Sequence, residues 1–135
     1  MQQIAIQREQ WPAFADAFSA EHHEWLVTVA SAETGGLGDD PQSWPQRWQA
    51  LHEEMPLEQL ALTEAGGRVQ GRVRLHSDGA PVSETLEDVQ HVIRVRTQER
   101  HVGLRMDGRD NRSLLVWFRV AAAPAELDGI LESEV

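Results

Sequence analysis

The chain contains no cysteine, no lysine and no tyrosine. The first absence excludes disulfides, thiolate metal sites, thiol nucleophiles and thiol redox sensing. The second excludes a Schiff-base lysine and a P-loop. All twelve basic residues are arginine, a bias that GC-rich coding explains. The third removes any phenolic acid. No apolar run is long enough to span a membrane, and Met-Gln-Gln-Ile-Ala-Ile-Gln-Arg lacks the basic start and apolar centre of a secretory signal. A cytoplasmic location is therefore expected. Gly-x-Ser-x-Gly and His-Glu-x-x-His are also missing, and Gly35, Gly36 and Gly38 do not stand between a strand and a helix in nucleotide-binding register.

Negative charge, by contrast, is abundant. The net charge of −10 over 135 residues opposes non-specific binding to nucleic acid or anionic membranes. It is unevenly spread: residues 68–112 hold nine arginines and seven acids, and the remainder holds three arginines and fifteen acids. The length fits one domain, 1–135, with a core of ordinary size.

The organising stretch runs from Arg8 to Val29. Trp11, Phe14, Ala15 and Phe18 recur at helical spacing, with Pro12 suited to the first turn, so a helix is expected over roughly 9–22. At Trp25 the period becomes that of a strand, covering 25–31. Ile4 and Ile6 suggest a short leading strand. Residues 34–45 form a glycine- and proline-rich loop. Ser43 can then cap a short inserted helix near 44–54, with Trp44, Trp48 and Leu51 on one stripe and Pro56 as its stop. Strands follow at 57–63, 68–76, 91–97, 101–106 and 113–120, with a hairpin at Ala65-Gly66-Gly67. Residues 84–88 read equally as a turn or a helical turn. The acidic tail, about 124–135, is expected to fray, with Leu127, Ile130 and Leu131 able to dock loosely. The expected class is α+β: an aromatic-faced N-terminal helix packed on a bent antiparallel sheet or small β-barrel, plus the inserted helix. Trp11, Phe14, Phe18 and Trp25 are expected inside the concave face with Val73, Ile93, Val95 and Phe118.

Glu-Gln-Trp-Pro-Ala-Phe-Ala-Asp-Ala-Phe-Ser, followed by Glu-Trp-Leu-Val-Thr-Val, resembles the N-terminal signature of a family of short bacterial proteins of unknown function. The likeness continues in Met-Pro-Leu-Glu (55–58), in Glu-Asp-Val-Gln-His-Val-Ile-Arg-Val (87–95) and between Leu104 and Arg119. It covers most of the chain apart from the 34–54 insertion and the last residues. The resemblance implies the fold and no activity. The chain departs from the pattern in the Trp44/Trp48 segment and at Trp117, where a charged residue is expected.

Few constellations could carry chemistry. His22, His23 and Glu24 are adjacent, and helical neighbours point about 100° apart, which disfavours a shared metal. His52, Glu53 and Glu54 have the same defect. His76, His91 and His101 could converge from separate strands, but surface positions explain all six histidines, and no metal or other cofactor is assigned. The acid pairs Asp39-Asp40, Glu53-Glu54 and Glu87-Asp88 read as solvated. The remaining candidate is an arginine face: Arg68, Arg72 and Arg74 on one strand, Arg94 and Arg96 on another. If those strands are neighbours, the face could grip an anion or single-stranded nucleic acid. Cross-strand pairing with Glu58, Glu64, Glu84 and Glu99 is the competing account.

In 113–120 the alternation places Leu114, Val116, Phe118 and Val120 inward and leaves Leu115 and Trp117 outward, an apolar patch in need of cover. The stripe of Trp44 and Trp48 could supply it, within the chain or from a second copy in a homodimer. The absent catalytic arrangements and the surplus aromatics together point to a non-enzymatic protein-binding or accessory module. The alternative is an anion or single-stranded nucleic-acid binder.

Overall fold

A computed structural model describes residues 1–78, 80–98 and 100–122, with Val120–Ala122 as backbone only. The acidic tail and its apolar residues lie outside the described residues, as does the side chain of Val120. The described strands are β1 (Gln2–Ala5), β2 (Leu26–Glu33), β3 (Gln49–Ala65), β4 (Arg68–Ser77), β5 (Ala80–Leu86), β6 (Val89–Thr97), β7 (Arg100–Gly108) and β8 (Arg112–Ala122). The helix α1 spans Trp11–Glu21. All eight strands form one antiparallel sheet in the order β1-β6-β7-β8-β2-β3-β4-β5. The sheet is open, with β1 and β5 at its edges, and does not close into a barrel.

The sheet bends so strongly that its two ends face each other across the core. A Cβ on Gly71 of β4 would lie 3.1 Å from Met106 Sδ on β7 and 3.2 Å from a Val89 methyl on β6. Between these halves sits the main core, in which Val73, Leu75, Leu60, Leu104, Met106 and Val116 are all sealed from solvent. Helix α1 closes the gap with Trp11, Ala15 and Phe18, each at most 3% exposed, while Phe14 and Trp25 pack at the margin. Ser19 fastens the helix to β3: its Oγ accepts from the Leu60 amide (2.9 Å), within reach of the Ala15 and Leu60 carbonyls for its own proton. Trp11 Nε1 donates to the Ile6 carbonyl at 2.9 Å, fixing where the helix starts.

Three expectations need correction. Residues 44–54 are not a helix. Pro41–Gln46 is a 3-10 segment started by Asp40, whose carboxylate accepts from the Gln42 amide at 3.1 Å, and β3 begins at Gln49. Ser43, the expected cap, instead donates its hydroxyl to the Asp40 carbonyl (2.8 Å). Tertiary pairing overrides the helical spacing, because β2 needs a second neighbour and takes Ala50, His52, Met55 and Pro56. Trp48 and Leu51 consequently belong to different clusters. Second, residues 84–88 are neither turn nor helix for the most part, since β5 runs to Leu86. Third, Ile93 and Val95 do not enter the main core. The pairing of β6 with β7 shifts at Val89/His91 and Val95/Arg96, so simple alternation fails; Val89 and Val92 point inward instead.

A second, smaller core lies on the outer face. Leu115 and Val95 are sealed there by Leu37 and Trp44, with Trp48 and Trp117 at the edge. Trp44 and Trp48 each meet Trp117 edge-on, with ring centres 5.9 and 5.5 Å away. The outward patch is thus covered by the chain's own 37–48 segment. Gly103 makes room, since a Cβ there would fall 2.4 Å from the Trp117 ring. Beneath Trp44 lies a satisfied polar network: Arg105 stacks on the ring (4.8 Å) and donates to Asp107 (2.8 Å), which also accepts from Ser113 (2.6 Å). Thr34 in turn donates to the Ser113 hydroxyl at 2.7 Å.

Phe18→Ala should cost about 3–5 kcal/mol by chemical denaturation; a loss under about 1 kcal/mol would deny the helix its place in the core. Trp117→Arg should release the covering segment, speeding amide exchange over 37–48 while β3–β5 stays protected. Uniform exchange across both regions would mean that the outer core is not an independent unit.

Candidate functional site

The sheet order separates the five arginines singled out by sequence. Four strands (β7, β8, β2 and β3) stand between β6 and β4, so Arg94 and Arg96 do not share a face with Arg68, Arg72 and Arg74. Arg68 and Arg72 are exposed on β4, and Arg74 lies 3.5 Å from Glu58. Glu84 is taken by His52 at 2.8 Å. Glu99 lies outside the described residues. Arg94 stands opposite Leu104, a main-core residue, and Arg96 opposite His101, which places both arginines on the inner face.

That placement brings Arg94 and Arg96 near His101 and Glu21 at the polar end, or mouth, of the core, where α1 stops. His22 caps the helix and is 2% exposed. It continues the stripe that Trp11, Ala15 and Phe18 begin, one helical turn beyond Phe18. Its ring packs 4.6 Å from Phe18, 4.7 Å from Trp25, 4.7 Å from Phe118 and 5.0 Å from His101. Nδ1 lies 2.9 Å from the Phe18 carbonyl, which can only accept, so Nδ1 carries the proton and Nε2 keeps its lone pair. Burial lowers the His22 pKa, opposed by that hydrogen bond and reinforced by His101. Burial also lowers the pKa of His101, followed by the charge of Arg94. Both imidazoles are therefore neutral near pH 7.

Among the described residues, three buried side-chain polar atoms lack a hydrogen-bond partner: Arg74 Nε, Arg94 Nε and His101 Nδ1. The first is accounted for by the nearby Glu58 carboxylate. The other two belong to this mouth. Glu21, exposed at the end of α1, brings a carboxylate to the same place; one donor atom from each of Glu21, His22 and His101 lies within 4.8 Å of the others.

Other polar places are less specific. His76 and His91 are exposed and do not join His101; His91 lies 4.0 Å from Asp107. The Ser113 hydroxyl is spent on Asp107, so no serine–histidine pair forms there. A cleft of about 550 Å³ beside Trp48 carries Arg47 and Arg112 but equally Glu33 and Asp110, which leaves it without a net preference for either charge. The two clefts of about 420 and 270 Å³ likewise mix signs.

No family model, curated protein or solved structure matches the chain.

The neutral histidines make a stability prediction. A lowered imidazole pKa means that below about pH 6.5 the unfolded chain binds more protons than the folded one. Stability is therefore complete above that pH and declines as pH falls, until the folded-state pKa is passed. Thermal unfolding from about pH 7 to about pH 5 should cost the wild type more than His22→Gln. Parallel declines would show that His22 is not held neutral by the fold.

Proposed function

We propose that the chain is a cytoplasmic, non-enzymatic binding module that takes a small oxyanion, such as a carboxylate or a phosphate-like group, at the mouth holding Arg94, Arg96 and His101. The observation that carries this is Arg94 Nε, a buried cationic donor with no hydrogen-bond partner among the described residues. Leaving such a donor unmet costs about 1–3 kcal/mol, and an oxyanion is the group that meets it. The described residues support a greasy docking face less well: Met1 is the one large hydrophobic exposed among them, because the surplus tryptophans are used on the chain's own outer face. A nucleic-acid ligand is disfavoured by the charge of −10 and by the dispersal of the arginines. The likeness to short bacterial proteins brings no activity with it, so the reading rests on the mouth alone.

Sulfate is a suitable probe because it does not titrate in the working range. Calorimetry at low salt on chelator-treated protein should give one site, weakening as chloride is added. Arg94→Met should weaken it about ten- to a hundredfold, the worth of a charge-assisted hydrogen bond, while Arg72→Gln leaves it unchanged. Arg94→Met should also raise the stability of the ligand-free protein, since it removes an unmet buried donor. No sulfate binding by the wild type, or equal binding by Arg94→Met, would sink the proposal.

A further inference from the structure

We infer that Glu21, His22 and His101 form a binding site for a divalent transition metal of the zinc class. It rests on the oxyanion reading only for what fills the metal's remaining position.

The donor set is two imidazoles and one carboxylate, a combination that zinc takes when it keeps a fourth position for water or another ligand. The three donor atoms already lie within 4.8 Å of one another. Bonds of about 2.0–2.2 Å to a tetrahedral ion place ligands roughly 3.4 Å apart. Closing the difference needs side-chain rotation, chiefly of Glu21, which is exposed and free to turn. Adjacent helical side chains diverge at their bases, yet one donor atom of Glu21 and one of His22 already lie within 4.8 Å of each other.

Two further observations point to a ligand. The Nδ1 proton of His22 is held by the Phe18 carbonyl, an arrangement common behind metal-binding histidines, where it fixes the tautomer and aims the other nitrogen. The second is His101 Nδ1, which is buried and has no hydrogen-bond partner among the described residues. With the ring proton on Nε2, His101 Nδ1 presents its lone pair to a metal ion.

Arg94 and Arg96 set the terms of binding. Their positive charges oppose a bare cation, so an anion on the fourth position should tighten the metal. By thermodynamic reciprocity the metal should tighten the anion by the same factor.

The test is Zn²⁺ titration of the chelator-stripped full chain by calorimetry, with Co²⁺ absorption as a report on coordination. Wild type should bind one Zn²⁺, gain thermal stability reversibly with chelator, and give the intense visible bands of four-coordinate Co²⁺. His101→Ala should lose more than about a hundredfold in affinity, exceeding what outer-shell changes cost. Glu21→Gln, at an exposed position that cannot threaten folding, should lose about tenfold, and the exposed His91→Ala should lose nothing. Arg94→Met should keep the metal and lose the mutual enhancement with sulfate. Absence of Zn²⁺ binding by wild type, or unchanged affinity in both His101→Ala and Glu21→Gln, would overturn the inference. Sulfate binding to stripped protein without any Zn²⁺ binding would sink the metal site and leave the oxyanion reading intact. Zn²⁺ binding without sulfate binding would do the reverse.

Discussion

The packing of Phe18 against Phe118, ring centres 5.9 Å apart, is the contact on which the rest depends. Phe18 belongs to the first helix and Phe118 to the last described strand, so the contact closes the chain on itself. Trp25 and His22 complete the nest, each within 5.4 Å of the Phe118 ring centre. Because β8 lies between β7 and β2, a helix fixed to Phe118 is fixed to the middle of the sheet. The ends of the sheet can then curl around the helix and meet over it. The same nest desolvates His22, so the force that makes the fold also makes the chemistry of the mouth. Each aromatic pair there adds about 0.5–1.5 kcal/mol beyond burial alone, a substantial share of an ordinary domain's marginal stability.

A sheet whose middle is buried on both faces has a second demand to meet. Leu115, fully buried, faces away from the main core, and Val95 does likewise on β6. Neither the helix nor the curled strands can reach that side. The 37–48 segment covers it with Leu37, Trp44 and Trp48, and Trp44 is anchored by its indole N–H to the Gly38 carbonyl (3.0 Å). Removing Trp117 would therefore act on this segment first, and on the main core only through β8.

Much of this was legible in the sequence, and the failures share one cause. The aromatic stripe, the β4 alternation, the glycine hairpin and most strand positions followed from local period and turn chemistry, whereas β5 and the first half of β3 did not. The open sheet order did not, because nothing local says that β6 returns beside β1. The expected arginine face failed for that reason: it required β4 and β6 to be neighbours. The expected helix at 44–54 failed because β2 recruits residues 49–56, a demand made from distant sequence. The mouth was hidden by the same separation. His22 and His101 are far apart along the chain, and only the continuation of the stripe by His22 hinted that it is buried.

Arg94 of β6 and Arg105 of β7, on opposite faces of the sheet, say more about function together than either does alone. Arg105 is buried, yet its Nε reaches Asp107, its plane lies on Trp44, and the acid is shared with Ser113. Every partner is supplied by the fold, as a structural role requires, and removing one would leave the others unmet. Arg94, one strand away and on the opposite face, has its Nε sealed from water with no hydrogen-bond partner among the described residues. This chain can evidently surround a buried guanidinium when the guanidinium serves the fold. It does not do so for Arg94, beside which His101 also carries an unmet nitrogen. Unmet buried groups cost stability and persist where something other than the fold answers them. That contrast is why the proposed binding chemistry is assigned to the inner mouth, and the structural chemistry to the outer face.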